Sequence, residues 1–113
     1  MSDTQVDLNQ DALFAMQDLL QDQFIPTLEF CVSEFDRLQL AVEQDIEKDI
    51  KEAIRHAHSL KSNAAQFGAE SLASISRQLE HALMEGDMSL SHQLTKQLPL
   101  HISATKEEIN KLV

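Results

Sequence analysis

Two glycines, Gly68 and Gly86, and two prolines, Pro26 and Pro99, are all the strong punctuation in a chain of 113 residues. A sheet of short strands needs turn residues at close, regular spacing, so this scarcity excludes it. Leu, Ala, Ile, Gln, Glu and Asp fill most positions, the composition of helices. The fold class that follows is all-α. A length of 113 residues suits one domain with a modest core, expected to span 1–113.

Five helices are read from start and stop signals and from apolar spacing. The first covers about 8–20, capped by Asp7 or Asn9, with Leu13, Phe14, Met16, Leu19 and Leu20 as its apolar content. The second covers about 24–44, with Pro26 in its first turn, where a missing N–H costs nothing. Leu28, Cys31, Phe35, Leu38 and Val42 give it one buried stripe. The third, about 45–67, carries the clearest pattern: Ile46, Ile50, Ala53, Ala57, Leu60, Ala64 and Phe67 alternate steps of four and three. Gly68 is its stop. The fourth, about 70–85, turns Leu72, Ile75, Leu79, Ala82 and Leu83 inward and ends at Gly86, after which Asp87 caps the fifth, about 88–112. Pro99 predicts a kink in that last helix, or a break. Short connections between long amphipathic helices imply an antiparallel up-down four-helix bundle, with the short first helix as a lid over one end.

The formal net charge of -10 argues against a nucleic-acid-binding surface, because phosphate contact needs a basic face. Neither a signal peptide nor a membrane span is recognisable. Cys31 is the only cysteine, so no intrachain disulfide forms. A reducing, cytoplasmic setting is the expectation, with Cys31 as a buried thiol between Phe30 and Val32.

Chemistry concentrates in HAHSLKSNAAQFG, residues 56–68. At about 100° per residue, the seam through Ala57, Leu60 and Ala64 leaves His58 turned towards solvent and His56 nearer the seam's edge. Ile54, Arg55, Lys61 and Ser62 share the strip with His58, and Lys51 and Ala65 extend it. This reads as local positive charge around one imidazole, with small side chains that let another molecule come close. An exposed imidazole is a good neutral nucleophile near neutral pH, and a lysine one turn away can stabilise a phosphoryl group placed on it.

The run His58-Ser59-Leu60-Lys61-Ser62, then Ala64, Ala65, Phe67, Gly68 and Ala69, then Leu72, Leu79-Glu80, Ala82 and Gly86-Asp87, resembles the histidine-containing phosphotransfer (HPt) domain family. The length and the Pro26 region are similar to free-standing members, such as those of bacterial quorum-sensing phosphorelays. Ser62 stands where the family most often has glycine, and serine is small enough to keep the surface open. The resemblance implies that His58 accepts a phosphoryl group from an aspartyl phosphate on a receiver domain, such as that of a hybrid sensor kinase. His58 then donates it to the aspartate of a downstream response regulator. Lys61 would steady the phosphoryl during in-line transfer. The chain would be a phosphocarrier, not an independent enzyme, with no cofactor of its own, the partner receiver supplying the acidic pocket and Mg²⁺. Docking is expected on an apolar surface around His58, with Leu13, Met16, Phe24, Leu28 and Ile54 as candidates and Lys51 and Arg55 at the rim.

Three other readings compete with this one. A metal site lacks a His-x₃-His or Glu-x-x-His pair with facing partners, and His81 with Glu85 is ordinary on a helix surface. An independent hydrolase using His58 with Glu52 or Glu70 lacks a pocket. A four-helix adaptor that binds a signalling partner without phosphotransfer presents the same surface and is the alternative. His81, His92 and His101 read as solvent-facing or partly packed surface residues. An exposed reactive histidine favours a monomer.

Overall fold

A computed structural model of the chain describes residues 6–113. Five α-helices follow one another there: α1 (Gln10–Leu20), α2 (Phe24–Asp45), α3 (Ile50–Gln66), α4 (Glu70–Glu85) and α5 (Met88–Leu112). A single 3₁₀ turn, Gln21–Gln23, joins α1 to α2. Helices α2 to α5 form the four-helix bundle, each packed on the next and α5 returning to α2.

Local capping explains the boundaries. Asn9, Asp49 and Asp87 each accept a hydrogen bond from a backbone N–H three residues on, at 3.1, 3.2 and 3.1 Å, and so start α1, α3 and α5. Gly68 and Gly86 adopt φ of 79° and 76°, where a side chain is strained. After α3 the Ala69 N–H reaches the Ala64 carbonyl at 2.8 Å and the Gly68 N–H reaches Ala65 at 3.2 Å, which closes the helix end in a Schellman arrangement. Gly68 has a second reason to be glycine. A Cβ there would collide with the backbone carbonyl of Asn9.

One expectation about the helices is corrected. The third helix starts at Ile50, not near Asp45, because α2 continues to Asp45 and the chain reverses through residues 46–49 before the Asp49 cap. Ile46 is buried in that turn, so the apolar rhythm ran on across a reversal that no glycine or proline marks. At Pro99 the break does not occur: α5 passes through unbroken, the proline lying on the exposed face between buried Leu98 and Ile102.

Burial ties the bundle together. Phe35, Leu38 and Val42 meet the α3 seam of Ala53, Ala57, Leu60 and Ala64, and Leu72, Ile75, Leu79, Leu98 and Ile102 complete the core. Leu60 alone, fully buried, contributes about 1.5–3 kcal/mol of hydrophobic stabilisation. The alanines of α3 have little bulk, which brings α2 and α4 close on either side of the helix that carries His58. Buried hydroxyls stay satisfied within their own helices: Ser76, Ser91 and Thr95 donate to carbonyls four residues back at 2.7, 2.7 and 2.8 Å. Cys31 is buried, its Sγ–H directed at the Asn63 carbonyl at 3.5 Å; burial, aided by Glu34, pushes the thiol up to about 12, so it is an inert packing residue.

Helix α1 lies over one end of the bundle through backbone contacts. The Asn9 N–H donates to the Gly68 carbonyl at 2.7 Å and the Glu70 N–H to the Asp7 carbonyl at 3.1 Å. Leu13 is thereby buried, and Phe24 packs beside Phe67 with ring centroids 6.5 Å apart. Among the described residues no helix is long and apolar enough to cross a membrane.

Candidate functional site

His58 stands on the outer face of α3, its side chain 56 % exposed. The buried seam behind it fixes this outward direction, since Ala57 and Leu60 on either side must face the core. Across the groove, α4 presents Glu80, anchored by its fully buried neighbour Leu79. One Glu80 oxygen lies 2.9 Å from His58 Nδ1, and the other accepts from Lys61 Nζ at 2.9 Å. Only 13 % of the Glu80 side chain remains exposed.

The ionisation of Glu80 determines what the imidazole can do. Burial pushes its carboxyl up, but the hydrogen bonds from Lys61 and His58 outweigh that and hold it below the ordinary carboxylate range. An ionised carboxylate only accepts, so the hydrogen sits on Nδ1, and in the neutral ring Nε2 is left with a free lone pair. The arrangement is an oriented, half-open imidazole with its nucleophilic nitrogen unengaged and an ammonium group alongside.

Glu80 is the residue whose part was not read from the sequence. It appeared there only within the Leu79-Glu80 pair, because helical periodicity on α3 does not say which carboxylate of a neighbouring helix reaches His58. The usable signal was the pair itself, a core leucine that places the next side chain at the edge of α4. The strip around His58 is correspondingly less positive than expected, since Lys61 is matched by Glu80 and Arg55 by Glu52 at 2.9 Å.

The remaining candidates divide. Ser62 and Ala65 are exposed beside His58, as are Lys51 and Arg55, while Met16 and Ile54 are half-buried. Leu13, Phe24 and Leu28 are corrected: all three are buried in the core, where α1 and the start of α2 close the end of the bundle, and offer no docking surface. Phe14 and Leu19 of α1, with Ile25 and Phe30 of α2, are the apolar side chains that are exposed instead.

The other histidines have different settings. His56 Nε2 lies 3.3 Å from Asp45 and 3.8 Å from Glu52, with the ring 17 % exposed. His92 meets Glu47 at 2.9 Å, and His81 is exposed. His101 is half-buried, its Nδ1 has no partner among the described residues, and burial pushes its pKa down. No group of three or more His, Cys, Asp or Glu side chains suited to a metal ion occurs among the described residues.

Comparison with known proteins identifies the family and the fold. Residues 22–108 match the family model described as the Hpt domain. The crystal structure of histidine-containing phosphotransfer protein B from Pseudomonas aeruginosa PAO1 superposes with a TM-score of 0.86. That match covers 92 % of this chain and 91 % of the other at 19 % identity, a likeness of fold. Comparison with curated protein sequences gives no match.

Proposed function

Because the chain belongs to the Hpt domain family, we propose that it is a phosphorelay intermediate that carries a phosphoryl group on Nε2 of His58 between receiver domains. The observation that supports this most is the pairing of exposed His58, through Nδ1, with the ionised Glu80. The Nε2 lone pair attacks the phosphorus of an aspartyl phosphate on the incoming receiver, the N–P bond forms, and the P–O bond breaks to release the aspartate carboxylate. No proton moves, because Nδ1 keeps its hydrogen throughout. The ring of the product carries positive charge, and Glu80 balances it from the Nδ1 side. Lys61 turns from Glu80 towards the phosphoryl oxygens and steadies the charge spread over them. Reversal, with the carboxylate of a response-regulator aspartate attacking phosphorus, returns the imidazole and passes the group on. In this reading the chain needs no cofactor of its own, and Mg²⁺ belongs to the acidic pocket of the receiver.

Incubation with a phosphorylated receiver domain tests the proposal. Wild type is expected to acquire an acid-labile, alkali-stable phosphate, and His58→Gln none with its helix content unchanged. A wild type left unlabelled by every receiver in a panel, or a labelled His58→Gln, contradicts it.

A further inference from the structure

A cleft of about 330 Å³ opens beside the histidine, between α3 and α4 and under Ala12 of α1. Lys61 and Ala65 line one wall, Ala73 and Arg77 the other. Arg77 lies three residues before Glu80 on α4, about 4.5 Å along the helix axis, at the end of the cleft nearest His58. The acid of this cleft, Glu70, sits about 10.5 Å away along the same axis and accepts a hydrogen bond from Asn9 at 3.0 Å.

Charge bookkeeping sets Arg77 apart. In a chain of net charge -10, Arg37, Arg55, Lys61, Lys106 and Lys111 are each held by a carboxylate of the chain. Among the described residues, Lys48, Lys51, Arg77 and Lys96 have no such partner. Lys96 lines a different hollow, with Glu43, Glu47 and His92, away from the cleft that Lys61 lines. Arg77 shares its other flank with His81 and Glu85, yet forms no salt bridge there. It is thus the unmatched guanidinium in the cleft that adjoins the phosphorylation site, and a guanidinium is built to hold a carboxylate through two parallel N–H bonds.

We propose that Arg77 seats an acidic segment of the receiver partner, holding one of its carboxylates in the cleft beside Lys61. The inference rests on the phosphotransfer reading above and deepens it: Arg77 sets which receivers dock and how tightly, and takes no part in the chemistry at Nε2. An acidic protein otherwise repels an acidic segment, so an unmatched cation lining this cleft weighs in selection.

Wild type, Arg77→Ala, Arg77→Glu and Arg77→Lys are compared against the receiver domain that labels wild type best. Labelling by phosphoramidate, a small donor that needs no docking face, reads His58 alone. Arg77→Ala is expected to raise the half-saturating receiver concentration roughly five- to tenfold, and Arg77→Glu further, with the rate at saturation unchanged. Arg77→Lys recovers part of the loss. Reversing one receiver acid to Lys is expected to restore docking to Arg77→Glu. Unchanged half-saturation in Arg77→Glu overturns the inference, as does a fall in the saturated rate at constant half-saturation. Failure of wild type to label from either donor overturns the phosphotransfer reading instead.

Discussion

His56 and His58 stand two residues apart on the same helix, and each faces a carboxylate from a neighbouring helix, yet the two sites differ in which ring nitrogen faces the acid and in exposure. His56 turns Nε2 towards Asp45 at the end of α2 and keeps 17 % of its side chain in solvent. His58 turns Nδ1 towards Glu80 of α4 and keeps 56 %. A carboxylate near Nε2 crowds the outer nitrogen of a half-buried ring; a carboxylate at Nδ1 directs the hydrogen inward and frees Nε2. Reactivity therefore follows from which nitrogen is held and from which side, more than from the presence of an acid beside a histidine.

The comparison breaks most visibly if the two carboxylates are removed in turn. Glu80→Ala, which frees the ring of His58 and leaves Lys61 without its partner, is expected to slow phosphoryl uptake about 10- to 100-fold. Asp45→Ala is expected to stay within about twofold of wild type, since it touches only the structural site. Stopped-flow or quenched-label kinetics with a phosphorylated receiver measures both, and equal effects would erase the distinction. Lys61→Ala comes next, with uptake about tenfold slower and the circular dichroism of wild type, because in the proposed relay Lys61 acts on the transferring group and not on the core. An unaltered rate removes it from the mechanism.

Acid sharpens the same comparison. Glu80 is held below its ordinary carboxylate value by Lys61 and His58, so its contribution to stability is complete above that ordinary value and is lost as pH falls through the lowered one. The difference in melting temperature between wild type and Glu80→Gln is expected to be constant from neutral pH down to about 5 and to shrink below it. A difference that appears only near pH 6–7 would assign the effect to another group. The smallest effect belongs to the other site: His56→Gln is expected to lose about 0.5–1.5 kcal/mol of unfolding free energy and to keep normal uptake. Chemical denaturation and the labelling assay read the two together.

Periodicity made α3 legible from sequence because a seam of Ala57, Leu60 and Ala64 leaves only one direction for His58. The same rule misplaced the start of α3, since buried Ile46 continued the rhythm through a turn set by the Asp49 cap and not by apolar spacing. Leu28 was legible as part of the buried stripe of α2, whereas Leu13 and Phe24 were legible as apolar but not as core, because their burial depends on how α1 docks on the end of the bundle through Gly68 and Glu70, a contact that apolar spacing does not encode. Glu80 and Arg77 share that limit. Their meaning depends on which turn of α4 lies against which turn of α3, and a one-dimensional pattern fixes faces without fixing that register.

The central claim, that Glu80 holds the hydrogen on Nδ1 and leaves Nε2 to carry the phosphoryl group, is tested most directly by ¹⁵N and ³¹P NMR of the protein before and after phosphorylation. The account predicts the Nδ1–H form of neutral His58 and, after transfer, a phosphorus coupled to Nε2 of that ring. A hydrogen found on Nε2, or phosphorus on Nδ1 or on His56, would contradict it.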